Sequence, residues 1–209
     1  MELARVIVTS NRDTTEVVEN FSKYCDVEVI WEDLVEKKGK RWPIRNSNLL
    51  KSRIWHTETY CIIDDDMRVL DDRFMEGFKL AQAFGFCVPM SPRNFVHVSI
   101  DSKPDIPDDM KNSLRYATEY NVSPMFINPI HPATRLFFPV WKKQLEKPCR
   151  GTTSLWRTAW MTGIHPYTLS PNWCVCHEDI ERLDPIMYHV GHKEVREKYE
   201  SRIATYSST

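Results

Sequence analysis

Three adjacent carboxylates, Asp64-Asp65-Asp66, close the apolar run Tyr60-Cys61-Ile62-Ile63. Like charges a few ångströms apart repel and raise one another's pKa, so such a triplet requires a cation. A divalent metal is the simplest neutraliser. Mg²⁺ and Mn²⁺ prefer oxygen donors, and Mg²⁺ commonly takes one or two carboxylates while phosphate oxygens complete its shell. The other reading of three aspartates is a solvated turn or a helix N-cap, where Asp is common. Position decides between the two, because the preceding run has strand composition and open α/β sheets bind ligands at the carboxyl ends of their strands. Asp64, Asp65 and Asp66 are therefore expected at a site for a metal and a phosphorylated ligand.

The elements around the triplet repeat a simple alternation. Arg5-Val6-Ile7-Val8-Thr9 reads as a first strand, Ser10-Asn11-Arg12-Asp13 as a polar turn, and Thr14 and Thr15 as N-cap candidates of a helix. Val17, Val18, Phe21 and Tyr24 share one face of that helix, and Val27 to Trp31 reads as a second strand. Glu32 to Trp42, rich in Lys and Arg, reads as a loop. Asn46 to Trp55 has helical spacing through Leu49, Leu50 and Ile54. After the third strand and its aspartates, Asp71 to Gly85 reads as a helix, with Phe74, Phe78, Ala81 and Phe84 on one side and Gly85 as its C-cap. Phe86 to Met90 is the next strand. The expected fold is α/β, a Rossmann-like, mostly parallel central sheet flanked by helices. Beyond about residue 98 prolines recur, so this half is expected to be loop-rich; Lys193 to about Tyr206 then regains helical spacing.

At 209 residues the chain fits a single domain spanning 1–209, and its 42% hydrophobic and 27% charged residues are ordinary for a globular protein. The 28 Lys and Arg nearly balance the 29 Asp and Glu, so no global field draws the chain to nucleic acid or anionic lipid. No apolar run approaches the roughly 20 residues of a membrane span, and Met1-Glu2-Leu3 leads into a strand rather than a signal peptide, which gives a cytoplasmic expectation. The six cysteines are dispersed and behave as small hydrophobes where they fall in apolar runs. Cys174-Val175-Cys176 lacks the spacing of a zinc knuckle.

Ligand contacts should come from the ends of the first two strands. Thr9, Ser10, Asn11 and Arg12 occupy the first strand-to-helix turn, where amides and short polar side chains hold a ribose or a base; ordinary turn chemistry is the alternative. Trp31, followed by Glu32 and Asp33, ends the second strand. Of the residues just upstream of the triplet, Arg45, Asn48 and Arg53, the last is the candidate to reach a phosphate. Trp156, Trp160 and Trp173 could stack on sugar rings and His165 could bond a hydroxyl, although aromatics of this kind more often supply core area.

Taken together, these residues resemble the GT-A class of glycosyltransferases, in which a D-x-D motif ends a strand of a Rossmann-like sheet. The order Arg53, Thr57, Ile62-Ile63-Asp64-Asp65-Asp66-Met67, then Gly85-Phe86-Cys87-Val88-Pro89, is similar to the exostosin-type branch. Met90-Ser91-Pro92 intervenes before Arg93, however, and the acceptor region is compressed, so the likeness is to the superfamily. It covers about residues 5–98 and 174–196. The small size is also similar to that of compact virus-encoded glycosyltransferases, some of which are domains of longer chains. The resemblance implies a metal-dependent transfer of a sugar from a nucleotide-diphosphate donor, UDP-sugar first, to a hydroxyl of a glycan or glycoconjugate. Mn²⁺ or Mg²⁺ is the implied cofactor and Asp66 and Asp64 its ligands. Residues 1–98 would bind the nucleotide sugar, and 99–209 the acceptor, with a closing segment at the C-terminus.

Two further constellations take roles from the same resemblance. His177-Glu178-Asp179-Ile180-Glu181 resembles the acidic motif beneath the acceptor site, with Asp179 as the base and Glu178 beside it; an acidic helix start is the alternative. Tyr188-His189-Val190-Gly191-His192-Lys193, with Arg196 one turn on, resembles the C-terminal element that returns a histidine to the metal. His192 is ranked before His189, and Lys193 and Arg196 would neutralise the leaving diphosphate; a surface helix is the alternative. Two other function classes remain open to the sequence. One is a nucleotidyltransferase or other metal-dependent phosphoryl-transfer enzyme, although no G-x-x-x-x-G-K-[ST] loop is present. The other is a non-catalytic sugar- or nucleotide-binding module.

Overall fold

A computed structural model describes residues 4–31, 34–37, 40–43, 48–95, 108–113, 117–145, 151–176 and 184–190. In chain order the strands are β1 (Arg5–Ser10), β2 (Asp26–Trp31), β3 (Leu34–Lys37), β4 (Lys40–Pro43), β5 (Tyr60–Asp64), β6 (Met67–Val69), β7 (Phe86–Phe95), β8 (Thr118–Tyr120), β9 (Met125–Ile127), β10 (Tyr167–Leu169), β11 (Val175–Cys176) and β12 (Met187–His189). The helices are α1 (Thr15–Phe21), α2 (Asn48–Lys51), α3 (Glu76–Phe84), α4 (Asp108–Ser113), α5 (Pro132–Leu145) and α6 (Gly151–Thr162), with 3₁₀ turns at Asp72–Met75 and Pro171–Trp173.

The main sheet has the order β10-β7-β9-β5-β1-β2, with β8 added to β7. β1 is parallel to both β2 and β5, β10 is parallel to β7, and β9 runs antiparallel between β5 and β7. Five of the seven strands therefore share one direction, as the α/β pattern requires. Side chains alternate across the sheet and both faces are covered. Ile7, Tyr60, Ile62, Phe86 and Val88 pack with α5 and α6 on one face, while Val6, Val8, Cys61, Ile63 and Cys87 pack with α1 and α3 on the other. That double burial is why the strand segments read as continuous apolar runs rather than alternating ones.

A second sheet, β11-β12-β6, sits at the end of β5 and carries the triplet's exit. β12 runs antiparallel to β6, with Met187 opposite Val69 and His189 opposite Met67. Met187 is fully buried and Tyr188 nearly so, which anchors this strand in the core at the point where the C-terminal segment begins.

Residues 34–43 correct one expectation. The charged stretch read as a loop contains an antiparallel hairpin, Leu34 opposite Pro43 and Lys37 opposite Lys40. The sequence between the paired strands is Lys38-Gly39, which lacks the Asn-Gly or Asp-Gly pair that marks a two-residue hairpin, so the surrounding lysines read as loop. The helix expected over 71–85 begins as a 3₁₀ turn capped by Asp71, whose carboxylate accepts the Arg73 N–H. It ends at Gly85, whose φ of 93° is open to glycine and strained for other residues. The second half holds α5 and α6, which pack on each other and on the sheet; Pro139 lies inside α5 without ending it. Cys25, Cys61, Cys87 and Cys174 are buried and form no disulfide among the described residues, and burial pushes the thiols of Cys25 and Cys87 up to about 12, as expected of inert core cysteines.

Candidate functional site

The crevice at the carboxyl edge follows from the strand order. From β1 the chain goes to β2 on one side, whereas from β5 it leaves through β6 and α3 towards β7 on the other. The ends of β1 and β5 therefore open beside each other, at the type of position where open α/β sheets hold ligands. Thr9 stands opposite Asp64, and the next residues along each strand leave the sheet together. Ser10-Asn11-Arg12 thus faces Asp65-Asp66.

Asp65 is held by the first turn. Arg12 grips its carboxylate with a two-pronged contact, Nε to Oδ2 at 2.9 Å and Nη2 to Oδ1 at 2.5 Å, the geometry for which guanidinium and carboxylate are matched. The Ser10 hydroxyl lies 2.6 Å from the same Oδ2 and 2.9 Å from the Arg12 carbonyl, and it accepts the Arg12 N–H at 3.0 Å. The Arg12 backbone is thereby anchored, although its side chain is 58% exposed. Nη2 of Arg12 also approaches Asp66 Oδ2 at 3.6 Å.

Asp66 faces the second sheet. His189 Nε2 lies 3.0 Å from Asp66 Oδ2, and the Val190 N–H donates to the Asp66 carbonyl at 2.7 Å, fastening the end of β12 to the triplet's backbone. The other carboxylate oxygen, Oδ1, is buried and has no hydrogen-bond partner among the described residues. Burial alone would raise the Asp66 carboxyl; the hydrogen bond and charge of His189, with the charge of Arg12, outweigh it and hold the group below its ordinary value. The same contact raises the His189 imidazole against its own desolvation, with Asp64 adding to the effect and Lys51 opposing it.

Asp64 has a different partner. Lys51, at the end of α2, is 1% exposed and places Nζ 2.7 Å from Asp64 Oδ1. The Ser123 hydroxyl accepts the Asp64 N–H at 2.9 Å. Arg68 braces the turn from behind, donating to the Asp65 and Met67 carbonyls and pairing with Glu16. Sequence reasoning missed Lys51, Arg68 and Ser123. The one available signal was a cation on the short amphipathic stretch Leu49-Leu50-Lys51, ahead of three carboxylates that need neutralising.

The remaining expected residues fall as follows. Thr9 is buried and its hydroxyl donates to the Ile63 carbonyl, which turns it into the sheet, whereas Asn11 is exposed in the turn. Trp31, opposite Ser10 in register, is 60% exposed beside the crevice. The Arg53 guanidinium lies over the Trp55 ring, 5.7 Å from its centroid. Trp156 stacks on Tyr120 in the core and Trp173 packs edge-on against Phe126, so neither presents a face for a sugar; Trp160 is partly exposed. His165 meets the Tyr120 hydroxyl at 3.2 Å. Glu178, Asp179, His192, Lys193 and Arg196 lie outside the described residues.

Among the described residues no group of three or more His, Cys, Asp or Glu side chains is placed to hold a metal ion. The crevice instead offers a two-residue set, Asp66 with its unpartnered Oδ1 and His189. That set fits an ion such as Mg²⁺ or Mn²⁺, which takes few protein carboxylates and fills its shell with water and phosphate oxygens, and neutral imidazole is a further competent donor. Asp64 and Asp65 are engaged by Lys51 and Arg12.

No protein-family model and no curated protein matches the sequence. The fold has clear counterparts among solved structures. A glycosyltransferase involved in glycosylation of the major capsid of PBCV-1 superposes with a TM-score of 0.57 at 11% identity, covering 95% of this chain and 99% of that one. The bifunctional glycosyltransferase WbbM gives 0.54 at 11% identity; 92% of this chain is covered, but it spans only 46% of WbbM. The galactosyltransferase LgtC, solved with donor and acceptor sugar analogues, gives 0.50 at 9% identity over 90% of this chain and 87% of that one. The chain has the GT-A glycosyltransferase fold. No helix among the described residues is long and apolar enough to cross a membrane.

Proposed function

We propose that the chain is a metal-dependent glycosyltransferase that takes a sugar from a nucleotide-diphosphate donor, UDP-sugar by preference, and passes it to a hydroxyl of a glycan or glycoconjugate. The observation that carries the proposal is the unpartnered, buried Asp66 Oδ1 beside His189, at the strand-end crevice of a fold shared with glycosyltransferases. Asp66 and His189 would hold Mn²⁺ or Mg²⁺, which when bound supplies positive charge against the diphosphate. Ser10, Asn11 and the exposed ring of Trp31 lie where the nucleoside would rest, Trp31 offering a face for the base. Arg12 offers the diphosphate a planar pair of donors. Lys193 and Arg196 are proposed to add charge at the leaving group, with His192 as a further ligand candidate.

In the transfer, the acceptor oxygen forms a bond to the anomeric carbon as the bond from that carbon to the diphosphate breaks. The acceptor proton passes to a carboxylate, for which Asp179 is proposed, with Glu178 beside it. Nucleoside diphosphate departs. Incubation with UDP-sugars and analysis of the released nucleotide tests the reading. Free UDP together with a glycosylated acceptor supports it, whereas release of pyrophosphate from a nucleoside triphosphate supports nucleotidyl transfer instead. Ligand binding with no turnover of any nucleotide sugar leaves the protein a binding module.

A further inference from the structure

Arg12 occupies the triplet in a way that a simple nucleotide contact does not require. Its guanidinium spans two carboxylates, gripping Asp65 through Nε and Nη2 and reaching Asp66 Oδ2 at 3.6 Å, the same oxygen that His189 approaches. It leaves Asp66 Oδ1 buried and without a partner among the described residues, so the cation it supplies neutralises charge without completing the site. The anchor is separate from the head. Ser10 fixes the Arg12 backbone, while the side chain is 58% exposed, so its head can exchange partners by rotation about its own bonds without moving the backbone.

We propose that Arg12 is a tethered stand-in cation: it holds the triplet closed to a free divalent ion and is drawn off by the diphosphate, which makes metal binding depend on nucleotide. This rests on the donor and metal reading above and adds to it an order of binding and the residue that sets it. A tethered group competes at an effective concentration on the order of millimolar, enough to suppress weak binding of an ion alone. A diphosphate offers the same fork a more highly charged partner, so the guanidinium moves a short distance and the carboxylates become available. Coupling of this kind is reciprocal, so the factor by which nucleotide tightens the ion equals the factor by which the ion tightens nucleotide.

Calorimetry with Mn²⁺ as the probe, with and without UDP, on wild type, Arg12→Ala and Arg12→Gln tests the proposal. Arg12→Gln keeps most of the side chain's length and removes its charge. In the wild type, Mn²⁺ alone should bind weakly and Mn²⁺ with UDP tightly. Both variants should bind Mn²⁺ alone about fivefold or more tighter than wild type, and the Mn²⁺–UDP coupling should fall by a similar factor. A gain in affinity is the opposite of what general structural damage produces. If Mn²⁺ and UDP bind the wild type cooperatively but neither variant binds Mn²⁺ alone more tightly, Arg12 is no stand-in, while the donor and metal reading survives. If the wild type binds no Mn²⁺ even with UDP, both proposals fall.

Discussion

Lys51 is a lysine at 1% exposure whose ammonium meets Asp64 at 2.7 Å, and its removal gives the most quantitative prediction. Taking one partner from a buried ion pair typically costs 3–5 kcal/mol, because an uncompensated charge remains. Here the remaining charge is Asp64, whose side chain is 32% exposed and keeps access to water, so the low end, about 3 kcal/mol, is expected for Lys51→Met. For a chain of this size that corresponds to a melting temperature lower by roughly 6–12 °C. Urea unfolding of wild type, Lys51→Met, Asp64→Asn and the double variant closes the cycle. The double variant should be less destabilised than the sum of the two singles, since Asp64→Asn removes the charge that Lys51→Met strands. The reasoning is refuted if Lys51→Met unfolds within about 1 kcal/mol of wild type, or if the two effects simply add.

Other consequences can be checked as directly. Gly77→Ala should destabilise by about 1–3 kcal/mol in the same urea assay, because a Cβ there would drive into the Phe126 ring. The Asp66–His189 pair gives the cation-free protein a defined pH dependence. Raised above its ordinary 6.5, His189 contributes stability that is full below 6.5 and lost as pH rises through its folded value; lowered below 3.8, Asp66 contributes above 3.8 and loses it as pH falls through its own. Both contributions are therefore present between 3.8 and 6.5. The stability difference between wild type and His189→Ala, measured in chelator, should shrink from about pH 6 to about pH 9, and a constant difference would contradict the pairing. Asp179→Asn should leave UDP affinity unchanged and lower sugar transfer by at least about 10²-fold; transfer within a few-fold of wild type would remove Asp179 from the base's role.

The central sheet was legible because strands buried on both faces leave long apolar runs, and Tyr60-Cys61-Ile62-Ile63 followed by three aspartates announces both the strand and the edge at which it ends. Strand register was not legible. That Ser10 and Arg12 meet Asp65 follows from Thr9 standing opposite Asp64, a pairing across more than fifty residues that no local pattern encodes. Lys51 was hidden for a related reason: a single lysine on a short helix looks solvated until the fold buries it against a carboxylate. The hairpin at 34–43 was masked by its charges, and the helix Pro132–Leu145 by its internal proline. Trp156 and Trp173 fill the core, as aromatics of this kind more often do, rather than presenting a face to a sugar.

Asp66 is the centre of the proposed metal and diphosphate site. Affinity for UDP, measured by calorimetry in Mn²⁺ and again in excess chelator, on wild type and on Asp66→Ala, tests it most directly. The wild type should bind UDP at least about tenfold more tightly with Mn²⁺ than in chelator, and Asp66→Ala should lose most of that gain. Equal affinity for UDP in Mn²⁺ and in chelator, or an Asp66→Ala protein that keeps the full gain, would contradict a metal and diphosphate site at the end of β5.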